Sequence, residues 1–244
     1  MKKLFKLSLL ALVALLFVQC SNDDNTPDNP PIQETVTDAD GNVYNTITIG
    51  NQTWMLENLK TTKYNDGSPI TEWVFGESWG SLNNQQDFYQ WAGTDDLSNI
   101  HDEELPFDYY GAMYNHFALE SGKLAPQGWR IPSKQDFMEL ENYLAENGFA
   151  GNVAQALKSE TGWSEFSGSG SNASGFNGLP NGYVAAGGTA TASEAICSWV
   201  TSDVADGAVN SSLTRTWVQL FDETDILYSD TSIVLGAAVR CIKE

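Results

Sequence analysis

Helical periodicity is clear at one place in this 244-residue chain, and most of what surrounds it carries the punctuation of short strands. Ser133 with Asp136 three residues on is a variant of the capping box, and Pro132 stands just ahead of it. Phe137, Leu140, Tyr143 and Leu144 then form one apolar stripe, which Asn147-Gly148 brings to a stop. A second helix is expected over Val153 to Lys158. Elsewhere the units are shorter. Val43, Ile47 and Ile49 lie ahead of Gly50-Asn51, and Trp54-Met55-Leu56 follows, which predicts a hairpin with strands near 43–49 and 52–57. Asn65 to Pro69 marks a turn. Residues 76–108 are polar and acidic with scattered aromatics, and read as an ordered loop region with short helices. After a Gly/Ser-rich loop from Ser167 to Gly175, strands are expected near 182–186, 196–201, 214–221 and 225–229, with a last one from Ile233 to Ile242.

The N-terminus sets the address. Lys2, Lys3 and Lys6 precede an apolar run from Leu7 to Val18. As a helix that run spans about 18 Å, short of the roughly 30 Å hydrocarbon core, so residues 1–19 read as a signal peptide. Phe17-Val18-Gln19-Cys20 resembles a bacterial lipoprotein processing site, with Gln19 where a small residue is usual. The resemblance implies that the Cys20 thiol takes diacylglycerol and becomes the mature N-terminus. Residues 20–34 are acidic and proline-rich, cannot bury enough apolar area to fold, and serve as a solvated tether. The acidic run after Cys20 also resembles the surface-export signal of Bacteroides-type lipoproteins, a plain spacer being the competing reading. Residues 35–244 remain as one folded domain.

Charge narrows the partners. With 12 Lys+Arg against 32 Asp+Glu the formal charge is -20, which excludes nucleic-acid binding through a basic surface and polybasic docking on anionic lipid. The expected membrane contact is through the lipid alone.

Residues 36–243 carry a family resemblance in ordered blocks. Asp38 to Tyr44, Ile49 to Met55 and Glu57-Asn58-Leu59-Lys60 resemble the opening of the Fibrobacter succinogenes major paralogous domain. Tyr110 to Asn115, Gly122-Lys123-Leu124 and Pro126 to Ser133 resemble its middle, and Ser174-Gly175-Phe176, Leu179 to Tyr183 and Val239-Arg240-Cys241 its end. The resemblance implies a surface or envelope lipoprotein. The Gly128 to Ser133 block at a helix start, with the Val-Arg-Cys strand, is more distantly similar to C-type-lectin-like and sulfatase-modifying-factor domains. That implies an α+β fold with a small twisted antiparallel sheet, few helices and long loops. Family members commonly have a Cys where this chain has Ala125, expected to pair with the one matched by Cys241. Cys197 is the other thiol of the folded region, so a Cys197–Cys241 disulfide and two buried free thiols are both open readings. Sulfatase-modifying factors use closely spaced cysteines, and these two are far apart, so that activity is not carried over.

The remaining constellations are weighed singly. Gly76-Glu77-Ser78-Trp79-Gly80 matches a nucleophile elbow, but His101 and His116 stand too near Ser78 for that topology, and the match reads as chance. Two histidines without a cysteine cluster exclude an ordinary zinc site. His116 reads as a core or interface residue, and His101 beside Asp102-Glu103-Glu104 as solvated. Asp38, Asp40 and Asn42 alternate like a calcium loop, yet Gly41 is fourth and Ile49 stands where the closing Glu belongs, so a turn is the better reading. Asp222-Glu223-Asp225 reads as an acidic turn. No cofactor is expected, weak calcium binding being the lesser reading at both acidic sites. Trp79, Trp91 and Trp163 lie in polar or Gly/Ser-rich surroundings and are the candidates for stacking on a sugar or anchoring a protein, against burial under loops. No catalytic constellation emerges. The expectation is a non-catalytic, lipid-anchored binding or adhesion module on the outer membrane, facing glycan or protein ligands. A structural surface lipoprotein is the alternative, and a glycan-active enzyme the third reading.

Overall fold

β-branched residues on either side of Gly50 do fold back on each other. In the computed structural model of the protein, β1 (Thr35–Thr37), β2 (Val43–Ile49) and β3 (Gln52–Met55) form an antiparallel meander, with Ile47 opposite Trp54. The structure describes residues 34–83, 85–93, 105–209, 212–222 and 226–244. The signal peptide, Cys20, the tether up to 33, His101 with its acidic neighbours, Glu223 and Asp225 lie outside them.

Two sheets carry the fold. β3 continues through β14 (Ile242–Lys243) to β7 (Trp129–Arg130), giving a five-stranded sheet in the order β1-β2-β3-β14-β7. The second sheet uses β4 (Thr71–Glu72), β5 (Phe88–Trp91), β6 (Ala112–Tyr114), β10 (Cys197–Val209), β11 (Ser212–Leu220), β12 (Ile226–Ser232) and β13 (Ala237–Ala238). Its seven strands run β12-β11-β10-β13-β6-β5-β4, antiparallel except for the parallel pairs β10–β13 and β4–β5. β8 (Asn181–Val184) and β9 (Ala190–Ser193) make a separate ribbon, tied to the larger sheet by a bridge between Val184 and Gly236. The α+β class holds. The sheet is not one small antiparallel unit, because the expected strand from Ile233 to Ile242 divides: β13 pairs in one sheet and β14 in the other.

The helices are few: α1 (His116–Glu120), α2 (Lys134–Leu144) and α3 (Val153–Leu157). α2 starts on the capping box expected for it, Ser133 Oγ accepting from Asp136 N at 3.2 Å and Ser133 N donating to the Asp136 carboxylate at 2.6 Å. Burial alone would raise the pKa of Asp136, but its bonds to Arg130 and Ser133 outweigh that and hold it below the ordinary carboxylate value. Phe137, Leu140 and Leu144 are buried, whereas Tyr143 of the same stripe is 41% exposed. It lies over Gly50, where an added Cβ would fall 2.8 Å from the ring. Gly148 ends the helix at φ +105° inside a π-turn over Ala145–Phe149. Phe137 joins the sheets, its ring 4.9 Å from that of Trp54 on β3 and 5.8 Å from that of Trp199 on β10.

Within residues 76–108 the described part holds the strand β5, which the expectation of loop with short helices did not include; residues 84 and 94–104, where the rest of that expectation falls, lie outside the described residues. β5 is only four residues long, and its pairing with β4 and β6 comes from outside its own segment.

Candidate functional site

Side chains from the motif blocks meet in the core. Asn58 follows β3, and its Oδ1 accepts from Trp199 Nε1 at 2.8 Å and from Arg240 Nε at 3.0 Å. Its Nδ2 donates to Tyr110 O at 2.9 Å, and Arg240 Nη1 donates to Phe176 O at 2.8 Å. The fully buried guanidinium lies 5.0 Å from the Phe176 ring centre and 5.3 Å from that of Trp199. Burial pulls its pKa down to about 10, so it is charged at neutral pH. Gly111 is required beside this knot: its φ is +81°, and a Cβ there would sit 2.7 Å from that of Asn58. Every group in the knot is enclosed, which makes it a structural hub and not a reaction centre.

The opening acidic motif is also spoken for. Asp38 Oδ1 accepts from the Asp40 and Asn42 amides at 2.9 and 3.0 Å, while Oδ2 takes Asn42 Nδ2 at 2.9 Å and the Tyr44 hydroxyl at 2.5 Å. Asp40 accepts from Thr62 N at 2.5 Å and pairs with Lys63 at 3.0 Å. Gly41 at φ +87° closes the turn. The loop thus explains its own carboxylates. Ser78 stands on an exposed turn with neither strand before it nor helix after it, so the elbow motif has none of its required context.

His116 is buried against Arg215, with Nδ1 3.3 Å from the guanidinium. Burial, and then the Arg215 charge, hold its pKa below the ordinary imidazole value. Arg215 itself pairs with the half-exposed Glu120 and donates to Thr201 O at 2.8 Å, while its Nε is buried without a partner.

Two of the three candidate tryptophans are core residues. Trp79 is fully buried and stacks on Phe88 at 6.3 Å. Trp163 is 6% exposed, donates to Ser159 Oγ at 2.9 Å and lies 3.9 Å beneath the Lys158 ammonium. Neither presents a face to a ligand, because the loops that looked open in sequence fold over both. Trp91 is half-buried, edge-on to Tyr89 and Phe107 at 5.6 and 5.0 Å. The structure therefore does not bring the three together as a platform. Nor is the Cys197–Cys241 disulfide formed: both thiols are free and fully buried. β10 and β13 are neighbours, as a bridge would need, but Cys197 packs in the cluster of Trp54 and Trp199 and Cys241 in that of Tyr44 and Trp217. Burial raises both thiols well above their ordinary range.

A concave site lies instead beside the middle motif block. A groove of about 530 Å³ has an apolar floor of Leu119, Leu124, Trp129 and Ile131, with Asn65, Gln127, Ser202 and Glu244 among its polar groups. That volume falls in the range of small-molecule sites, roughly 300–1,000 Å³. Pro126 and Gln127 form a ridge shared with a second hollow of about 210 Å³ next to Thr37 and Ala39. The loop is pinned: Trp129 N donates to Pro126 O at 3.0 Å, Asn65 Nδ2 to Ala125 O at 3.0 Å and Glu244 N to Gly128 O at 3.0 Å. Arg130 is held by Asp136 through two bonds of 2.6 and 2.7 Å, and Glu244 of the same lining stands close enough for its charge to act on the guanidinium as well. A carboxylate and a guanidinium on this wall supply orientation and hydrogen bonding to a bound group.

Comparison with known families places these blocks. The model of the Fibrobacter succinogenes major domain matches residues 47–243, which includes both the Asn58–Arg240 hub and nearly all of the groove lining. The chain belongs to that family. No curated protein and no solved structure matches it. In this Fibrobacter succinogenes major domain the motif residues divide by task, with Asn58, Gly111, Phe176 and Arg240 in the hub and Pro126 to Ile131 in the groove wall. Asn65, Ser202 and Glu244 were not anticipated as site residues. Asn65 carried a turn signal, and Ser202 and Glu244 carried none, because only tertiary pairing brings them to the wall.

Proposed function

We propose that this protein is a lipid-anchored, non-catalytic binding module of the cell surface, tethered at Cys20 and using the groove beside Pro126–Ile131 for a small glycan or peptide epitope. The groove's make-up carries the reading: an apolar floor that includes Trp129, and polar groups of every kind around it, suited to a polar ligand rich in hydrogen-bonding groups. These are the Asn65 and Gln127 amides, the Ser202 hydroxyl, the Arg130 guanidinium and the Glu244 carboxylate. We read the fold as C-type-lectin-like, supported by the Gly128 to Ser133 block opening α2 and by β14 closing the sheet that contains β2 and β3. Family membership and the signal ahead of Cys20 support placement at the outer membrane, exposed to the surface. No metal enters the reading.

Ser202 and Gln127 are exposed and can be changed without touching the core. On an array of oligosaccharides and peptides, wild type should show saturable binding. Ser202→Trp, which fills the groove, and Gln127→Ala should weaken it by about 1–3 kcal/mol, with unchanged thermal midpoints. Binding untouched by both substitutions, or turnover of an arrayed glycan, overturns the proposal.

A further inference from the structure

The three most exposed large apolar side chains among the described residues are Phe75, Phe166 and Phe107, at 92%, 84% and 63%. They come from three separate loops, and all three loops gather around the β8–β9 ribbon. Trp73, whose ring lies 6.4 Å from that of Phe75, packs on Gly188 at the ribbon's turn, where a Cβ would fall 2.1 Å from the indole. Phe107 lies 5.0 Å from Trp91 on β5, and Gly93, two residues further on, lies against the ribbon, where an added Cβ would meet Ala190 Cβ at 3.8 Å and Ser193 Oγ at 3.9 Å. The loop of Phe166 meets the other end of the ribbon, where Ser164 N donates to Glu194 O at 2.8 Å, and the Phe166 ring lies 5.7 Å from that of Phe221.

Phe75 is held outward. Glu77 closes the Phe75 turn with both backbone and side chain: its O accepts from Trp73 Nε1 at 3.0 Å and its Oε2 from Val74 N at 3.2 Å. A loop that rigidly presents phenylalanine to solvent is preorganised for contact, since little ordering entropy remains to be lost. Ala192 and Glu194, at φ +59° and +68°, add strained non-glycine backbone in the same ribbon.

The charge of this end is one-sided. The sequence holds no Lys or Arg between Lys63 and Lys123, nor between Lys158 and Arg215, the two spans that supply all three loops and the ribbon. Lys60 reaches the Phe107 loop but is neutralised by Asp108 at 2.7 Å, and Lys158 is buried beneath Ser167 and Gly168. The exposed ionised groups of these loops include Glu72, Glu77 and Glu165.

We infer that this end of the molecule is a protein-docking surface for a basic, apolar partner segment, separate from the groove. On these loops the nearby cation Lys60 is already paired with Asp108, and Glu72, Glu77 and Glu165 are exposed. Phenylalanines in that setting suit Lys or Arg stems that lie on the rings while their charges meet the acids. The same field repels anionic lipid and a second copy of this chain, whose formal charge is -20.

The test titrates the full-length lipidated protein, in neutral detergent micelles, with a synthetic peptide alternating Arg and Leu. Glu–Leu and Arg–Ser counterparts serve as comparisons. The Arg–Leu peptide should saturate, the Glu–Leu peptide should not bind, and the Arg–Ser peptide should bind about tenfold more weakly or worse. Combined Phe75→Ser, Phe107→Ser and Phe166→Ser, and separately Glu72→Lys with Glu165→Lys, should each cost about tenfold. All these positions are exposed, so unchanged circular dichroism is expected for both sets, with an unchanged thermal midpoint for the phenylalanine set and a small loss for the charge set, where Glu72 also gives up its bond to Tyr89. Ser202→Trp in the groove should leave this binding intact, which separates failure here from failure of the groove reading. The inference is overturned if wild type does not bind the Arg–Leu peptide, if it binds the Glu–Leu peptide equally, or if both sets of variants bind like wild type. Capture of neutral oligosaccharide or anionic vesicles through the three phenylalanines would also overturn it.

Discussion

Arg240 and Arg215 are both buried arginines on the inner side of the fold, yet they are held by different chemistry. Arg240 is fixed by acceptors that do not titrate, the Asn58 amide oxygen and the Phe176 carbonyl, between two aromatic rings. Arg215 faces His116 and Glu120, both ionisable, with Asp203 nearby and Nε unsatisfied. Neutral acceptors make the first site indifferent to pH over the physiological range. The second is conditional on the protonation of its neighbours. The difference teaches that burial of a charge does not by itself mark function: Arg240 is the enclosed and saturated one, and it works as a rivet.

The largest test of that comparison is Arg240→Met. It removes the donor shared by Asn58 and Phe176 and should destabilise by about 3–5 kcal/mol, through unpaired buried acceptors and lost ring contacts. Urea midpoints measure this; a loss below about 1 kcal/mol would end the view of Arg240 as the hub. Arg215→Met should cost less, about 1–2 kcal/mol, because Glu120 is half-exposed and can be rehydrated. An equal or larger loss than at Arg240 would reverse the ranking. The smallest effect is the pH response. The folded pKa of His116 lies below its unfolded value near 6.5, so the unfolded chain binds more protons there as acid is added. Its contribution is complete above about pH 6.5 and is lost as pH falls from there through the depressed folded value. His116→Gln should flatten stability across that window, and Arg215→Met should narrow it by removing the repelling charge. An unchanged slope in His116→Gln would assign the response to other groups.

How much could be read in advance follows from where each element finds its energy. The β2–β3 hairpin and the capped start of α2 were legible because turn residues and caps act within a few positions. β10, β11 and β12 were legible from β-branched and aromatic runs, though β10 extends further than expected, through bulges after Val200 and Ala205. β4, β5, β6 and β7 are two to four residues long, and their stability comes from partners elsewhere in the chain, so no local period marks them. Trp79 looked like a surface residue because its own neighbours are polar. Its burial is supplied by Phe88 and by the close approach of Gly236, where an added Cβ would fall 2.4 Å from the indole. For the groove, the wall sequence was recognised as a motif, but concavity is a property of how β7, α1 and the β10 strand meet, and sequence spacing does not encode it.

The division of the C-terminal strand has a consequence for the order of folding. β13 completes the larger sheet between β10 and β6, and β14 completes the smaller one between β3 and β7, with Arg240 lying between them. Both sheets therefore stay incomplete, and Asn58 waits without its guanidinium, until a segment made after nearly all the rest of the described chain has arrived. Contacts this distant in sequence make for slow closure. A newly made chain keeps these strands unpaired for as long as that segment is withheld, so the two sheets and the Arg240 contacts lock in one late event.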